Sequence, residues 1–457
     1  MSLFNRLFSP VMHSGAGSLW PLVIFTLYIV YMGCALTLPF AGKGAAGMLL
    51  LAGWVGLFWV KSGYYELTRE EKYLLGSFLV FSLVSIVSFF YWPHSRLAQM
   101  HLEDYGVFML LVPLYMLLRQ FRFNFSHVLV SLASIAVVLG FVSISQYVAM
   151  RYFNVQILTS DNTYSHTWLR PSGGVNPMRY GAISLVLSAI AVNGVLLVRN
   201  KALWLKVLLC VSSVLGLVAC YLADSRSSFA AIPVLMFMYA LYLYKAGHPR
   251  FLMGFLVISV LLIAGLSQNH RVQVALNSFE RYQQGDAVSS LGSRLDMFKA
   301  AVILIEEKPI WGYGLGGYLE GGKEVRKMYP NIDWHVGTWS NPHNEVLLVM
   351  VEKGVIGLIS LLLLFVAPGY LFFRVFRGAN ISSSGQQVKF YAMSGFSLLV
   401  VYAVVGQSVA LFQHDVFNHF YCLMVLLFAS QIRAIEYLQG RAGAEVRVGV
   451  ASYEGTL

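Results

Sequence analysis

Apolar residues along this chain come in runs of bilayer length, without the one-sided patterning of a soluble domain. Runs suited to a membrane crossing, for which a helix needs about 20 residues, stand at 19–37, 44–60, 74–92, 105–118, 127–149, 178–198, 202–222, 228–244, 251–267, 346–373, 390–411 and 416–432. The pattern predicts an all-α, polytopic membrane protein of about twelve helices. The run at 105–118 is short and holds Pro113, while 346–353 contains Glu352 and Lys353, so that helix is expected to begin outside the hydrocarbon. The first 18 residues are too polar for a signal peptide and lack its small-residue cleavage site, so the first span is expected to be kept.

Polarity concentrates in one place. Between Ser267 and Asn344 lies a water-soluble insert that carries Arg271, Arg281, the run Gly292-Ser293-Arg294-Leu295-Asp296 and a glycine-rich turn from Gly312 to Gly317, and closes on Ser340-Asn341-Pro342-His343-Asn344-Glu345. The expected division is a single membrane domain over 1–457, with a helical loop insert at 268–343 that carries part of the active site and a cytoplasmic tail at 434–457.

Composition agrees with the pattern: 457 residues, 58% hydrophobic, 12% charged, mean hydropathy +0.66. Soluble domains average about a quarter charged. The net charge of +11 does not point to nucleic acid, because the basic residues sit in short groups between apolar runs. Loop charge gives an orientation instead. With the N-terminus inside, the inner side receives 17 Lys and Arg, and the short outer loops receive six: Lys43, Arg96, Arg151, Arg170, Arg179 and Arg226. Both termini are then cytoplasmic and the insert faces outward, where there is no ATP, so a bond-forming reaction there needs a substrate that arrives activated. Cys34, Cys210, Cys220 and Cys422 all lie in apolar runs without metal-ligand spacing.

Four outer motifs share a local context. Asn176-Pro177-Met178-Arg179 reads as an N-cap, a proline at the first helical position and an arginine in the first turn. Asp224-Ser225-Arg226 can cap the next helix. Ser293-Arg294-Leu295-Asp296 resembles a capping box at the head of a helix with apolar Leu295, Phe298, Val302 and Ile305, and Asn341-Pro342-His343 repeats the first pattern. Each sets a cation, or a group that can become one, at the positive end of a helix, which costs about 0.3–1 kcal/mol unless an anion sits between. Arg170, Arg179, Arg226, Arg294 and His343 are therefore expected to line a pyrophosphate pocket. The alternative is that the arginines snorkel to lipid headgroups or pair with Asp224, Asp296 and Glu345; taken as a set they favour the pocket.

His343 has two readings, a structural histidine or a general base. The helix-start dipole keeps its ring neutral and able to take a proton, with Asn344 or Glu345 to orient it. His335, His166, His94 and His101 are weaker candidates. Gly312-Tyr313-Gly314-Leu315-Gly316-Gly317 fits the glycine spacing of a dinucleotide site, but it follows a helix and Pro309, so a loop of tight turns is the better reading. The sequence has no D-x-D, H-E-x-x-H or P-loop, and no metal or cofactor is expected.

Leu169-Arg170-Pro171-Ser172-Gly173-Gly174-Val175-Asn176-Pro177, Asp224-Ser225-Arg226, Gly292-Ser293-Arg294, Lys308-Pro309-Ile310-Trp311-Gly312-Tyr313-Gly314 and Asn341-Pro342-His343-Asn344-Glu345, followed by Gly354 and Gly357, together resemble the O-antigen ligase and polymerase family of bacterial envelopes. The motif order carries the likeness over about 165–375; Met178 departs from it, standing where relatives often have a second asparagine. The resemblance implies a GT-C-like glycosyltransferase of the Gram-negative inner membrane. It would move O-antigen from undecaprenyl pyrophosphate to a sugar hydroxyl of the lipid A-core oligosaccharide on the periplasmic side, with inversion and without metal or ATP. By that analogy His343 accepts the hydroxyl proton, Arg170, Arg226 and Arg294 hold the departing pyrophosphate with Arg179 behind them, and Ser225, Asn344 and Glu345 support the site. Membrane lipids are the remaining partner. Polymerase and protein oligosaccharyltransferase share the motifs; the latter tends to carry an extra C-terminal domain, and only about 24 residues follow the last span here. A transporter of lipid-linked glycan is the alternative of another class, disfavoured by the lack of an obvious repeat and by deep positions nearly free of charge.

Overall fold

The computed structural model describes residues 8–9, 20–59, 66–91, 95–155, 157, 171–198, 202–268, 290–379 and 382–454. The chain is an all-α polytopic membrane protein. Its helices are α1 (Trp20–Cys34), α2 (Pro39–Gly56), α3 (Arg69–Tyr91), α4 (Arg96–Leu110), α5 (Val112–Leu118), α6 (Phe125–Tyr152), α7 (Pro177–Leu197), α8 (Leu203–Leu222), α9 (Arg226–Lys245), α10 (Pro249–Ser267), α11 (Ser290–Glu307), α12 (Gly317–Met328), α13 (Glu345–Gly378), α14 (Ser383–Val405) and α15 (Asp415–Glu454). Phe8–Ser9 pairs antiparallel with Arg122–Phe123. Among the described residues nine segments are long and apolar enough to cross a membrane, and Pro21–Cys34, Phe40–Gly56 and Leu252–Gly265 are shorter apolar helices. These correspond one for one to the twelve predicted runs. The short run with Pro113 is completed upstream: α4 and α5 together make the span Arg96–Leu118, interrupted where Pro113 has no N–H to give.

Two apolar cores stack along the bundle. The larger joins α1–α9 to α13–α15 around Phe78, Phe108, Tyr402, Phe412 and Tyr421, whose rings meet mostly edge-on or tilted, with Tyr402 stacked on Phe412. The smaller belongs to the insert, where Met297, Ala300, Ala301 and Leu304 of α11 and Tyr318 and Val325 of α12 pack on Leu348 and Val351 of α13 and on Ala410. The buried face of α11 is thus 297/300/301/304, and the predicted apolar stripe lies beside it, with Val302 45% exposed. Small residues let α11 sit close to α13, which is why the inward face reads less apolar than the outward one.

Glycine-controlled backbone contacts fasten the insert to α13. That helix breaks at Gly354, where φ is 61° and ψ −156°. Into the break comes the 308–316 loop: Tyr313 and Gly314 donate their N–H groups to the carbonyls of Val351 and Glu352 (2.7 and 2.9 Å), and Val355 donates back to Pro309 (2.8 Å). A Cβ on Gly354 would stand 2.1 Å from the Ile310 carbonyl oxygen, and one on Gly312 2.5 Å from that of Val351. The glycine spacing that mimics a nucleotide motif is therefore a docking loop.

The helix interior is also less neutral than expected. Glu352 is buried, with one carboxylate oxygen on His101 Nδ1 (2.7 Å) and on the Gly316 N–H (2.8 Å). Buried Lys353 donates to Ser85 Oγ (3.1 Å) and lies 3.6 Å from the centroid of the Tyr105 ring. At the other end Glu71 meets Arg119 (3.1 Å) and Tyr115 (2.8 Å) beside a cavity of about 350 Å³ lined by Glu70, Arg374, Arg433 and Glu436. Pairing is what makes such burial tolerable, since an isolated buried charge costs several kcal/mol.

Candidate active site

The ends of α7, α9, α11, α13 and α15 bring the sequence-predicted cations to one end of the bundle. At α7 the prediction holds in detail: Asn176 caps the helix by accepting from the Met178 N–H (2.9 Å), Pro177 opens it and Arg179 follows in the first turn. Arg226 is the first residue of α9, after Ser225. Ser225 is buried and hydrogen-bonds to Ser227 and Ser228 (3.1 and 3.0 Å) but does not cap through its side chain. Just before it Asp224 adopts φ 53°.

The other two motifs differ from expectation. Helix α11 begins at Ser290, so Ser293 and Asp296 are inside it. Both hold the 333 turn, Ser293 by donating to Asp333 Oδ2 (2.9 Å) and Asp296 by accepting from the Asp333 N–H (3.1 Å). Helix α13 begins at Glu345 with Asn344 as its cap, its side chain accepting from the Leu347 N–H (3.0 Å). His343 therefore precedes the helix, in the left-handed region at φ 55°, its N–H bonded to Asn341 Oδ1 (3.0 Å). Neither Asn344 nor Glu345 orients the imidazole. Asn344 donates to the Gln407 carbonyl (3.0 Å) and Glu345 accepts from the Phe412 N–H (3.1 Å), so both lock the head of α13 onto the 406–412 turn. What the ring touches is Trp339, edge-on at 4.7 Å, which in turn packs on His335 (5.0 Å), held by Asp333. Positive φ at a non-glycine residue costs about 1–3 kcal/mol and collects at functional sites; Asp224 and His343 both carry it beside an expected site residue.

The electrostatics tie these pieces together. Burial lowers the pKa of the Arg294 guanidinium, and the Arg226 charge lowers it further. Burial, then Arg294, then His335 bring His343 down to about 4, so its ring is neutral at pH 7. Arg294 forms no ion pair or hydrogen bond with any described residue, and Asp296, one of its expected partners, is engaged by Lys299 (3.3 Å). The His343 ring nitrogens likewise have no hydrogen bond among the described residues. Two half-buried arginines thus lie within electrostatic range of each other, Arg294 without a counterion among the described residues, next to a neutral imidazole. Arg170 lies outside the described residues, as do Arg271, Arg281, His94 and His166.

One neighbour of these groups was missed in the sequence. His414 lies between α14 and α15, and its Nδ1 is 2.9 Å from Arg179 Nη2. Its field reaches both Arg179 and His343, so it links the α7 arginine to the rest. The available signal was the polar triplet Gln413-His414-Asp415 between two apolar runs. His101, a weaker candidate, proves to be the buried partner of Glu352. Among the described residues, no group of three or more His, Cys, Asp or Glu is arranged to hold a metal ion.

Residues 211–362, from within α8 through the first part of α13, match the O-antigen ligase family. The match places this segment in the O-antigen ligase/polymerase family. It contains Arg226, Arg294 and His343 and the docking loop, while Arg179 and His414 lie outside it. An uncharacterized protein of Haemophilus influenzae is 24% identical over 421 residues, covering 88% of this chain and 98% of its own length. The matched segment supports O-antigen ligase/polymerase-type function in general.

Proposed function

We propose that this protein is an O-antigen ligase of the Gram-negative inner membrane, transferring polysaccharide from undecaprenyl pyrophosphate to a sugar hydroxyl of the lipid A-core oligosaccharide. The pocket faces the periplasm and both termini the cytoplasm. The observation that carries the reading is Arg294, without a partner among the described residues, beside Arg226 and the neutral His343. In the reaction the acceptor oxygen attacks the anomeric carbon from the face opposite the phosphate. The new C–O bond forms as the bond to the phosphate oxygen breaks, which inverts the centre, and the hydroxyl proton passes to His343. Negative charge grows on the leaving pyrophosphate, where Arg226 and Arg294 stabilise it with Arg179, and with Arg170 in the same role. The insert at 268–343 supplies Arg294 and His343 within a single membrane domain, and 434–457 forms the cytoplasmic end.

Ligase is preferred to polymerase on the description of the matched family; the two differ in acceptor. Purified protein in detergent, given undecaprenyl-pyrophosphate-linked glycan and lipid A-core with EDTA present, should yield conjugate. A transporter would bind the donor and yield none. Strict dependence on a divalent ion would mean that a ligand set is missing from the mechanism.

A further inference from the structure

His414 is the residue before α15, and its carbonyl accepts from the Asn418 N–H (3.0 Å), as a cap position does. Its ring turns elsewhere, setting Nδ1 2.9 Å from Arg179 Nη2. A guanidinium has five N–H donors and no lone pair to offer, and it stays charged at any working pH. The nitrogen facing it must therefore be the bare one, and the single ring proton sits on Nε2. A second proton would set a cation against Arg179 and against the positive end of α15; burial, then Arg179, hold the pKa down to about 3. The other groups within its field are Asp415, paired with Lys43 at 2.7 Å, and His101 and His343. Nε2 makes no hydrogen bond with any described residue, and the ring is half-buried. The result is a fixed, neutral N–H donor, polarised by the arginine behind it, between the α7 arm of the pocket and His343.

We propose that His414 is a further binding residue of this site: its Nε2–H donates to an unesterified phosphate oxygen of the lipid-linked pyrophosphate, while its Nδ1 fixes Arg179 for the same group. The inference rests on reading the site as a pyrophosphate pocket. It separates two functions that alanine would remove together. His414→Asn keeps an acceptor near the place of Nδ1 and has no donor at Nε2, whereas His414→Gln carries an amide nitrogen to about where Nε2 stands.

Binding of undecaprenyl pyrophosphate to the full chain in detergent, with the melting temperature of each variant as control, decides the matter. His414→Asn should bind about tenfold more weakly, the loss of one hydrogen bond to a charged group. His414→Gln should stay within about threefold of the native protein, and the KM for lipid A-core in the transfer assay should not move. Native affinity in the Asn variant, equal losses in Asn and Gln at unchanged melting temperature, or an effect confined to the acceptor KM would each overturn it. If the Asn variant does not fold, the Gln variant decides alone: retained binding supports the role, and a loss of about tenfold or more contradicts it. A native protein that fails to bind undecaprenyl pyrophosphate removes the pocket reading and this inference together. Native binding with an unaffected Asn variant removes this inference alone.

Discussion

As the proposed base, His343 depends on what surrounds it rather than on its intrinsic strength. Burial and the Arg294 charge bring its pKa down to about 4, and a pyrophosphate seated on Arg294 would offset that charge and raise it. The acid limb of kcat/KM, which reports the free enzyme, should accordingly fall near pH 4, and the limb of kcat, which reports the loaded enzyme, at higher pH. Coincident limbs in a pH–rate profile would disconnect the base from the phosphate site. Stability follows the same sign. His343 and His414 have folded pKa values of about 4 and about 3, below the ordinary 6.5, so the unfolded chain binds more protons as pH falls. Their contribution is full above about 6.5 and is lost progressively toward about pH 4 for His343 and about pH 3 for His414, which a melting series across that range would show. His343→Ala should abolish transfer with donor binding retained, measured by turnover and lipid binding on one preparation. Arg294→Lys should recover little of the donor affinity lost in Arg294→Ala, because one ammonium cannot grip two phosphate oxygens as the planar fork does; full recovery would reduce its role to charge. The arginines stood out in the sequence because the expected topology disfavours cations on the outer side. His414 was not, since its significance lies in meeting Arg179 across 235 positions of chain.

Helix ends explain both what was foreseen and what was not. Asn176-Pro177 fixes its helix start locally, through a side-chain acceptor and a preset φ, so the reading held. Ser293 and Asn341-Pro342-His343 look alike in sequence, yet Ser293 is drawn to Asp333 and the cap of α13 shifts to Asn344, because contacts distant in sequence compete for the same polar atoms. The helix break at Gly354 was similarly hidden: its glycine is recognisable, but the reason for it is a loop about 40 residues upstream by sequence. Gly354→Ala should place a Cβ at positive φ against the Ile310 carbonyl, costing about 1–3 kcal/mol of backbone strain beside the steric clash. The insert should loosen, read as faster limited proteolysis within 290–328 and a lower melting temperature. Gly76→Ala, in α3 with open space around it, is the control and should change neither.

Across the molecule the bundle presents two unlike ends. One gathers Arg179, Arg226, Arg294, His343 and His414; the other holds Arg119 and Glu71, with Arg374 joined to Glu70 and Arg122 to Gln387. The twelve-segment plan was readable because bilayer thickness imposes a run length on every crossing. The buried Glu352–His101 and Glu71–Arg119 pairs were not, since each charge looks misplaced until its partner's helix is beside it. In a cysteine-free background, a cysteine at exposed Trp311 should react with a membrane-impermeant maleimide added to intact spheroplasts, and one at Arg374 only after permeabilisation; the reverse pattern would turn the site to the cytoplasm. The pocket itself is tested most directly by a structure of the protein bound to undecaprenyl pyrophosphate. The expected density has both phosphates between Arg179, Arg226 and Arg294, with the terminal phosphate, the one that carries the glycan in the donor, toward His343. Phosphates held elsewhere, with Arg294 still without an anion and His343 turned away, would contradict the proposed chemistry.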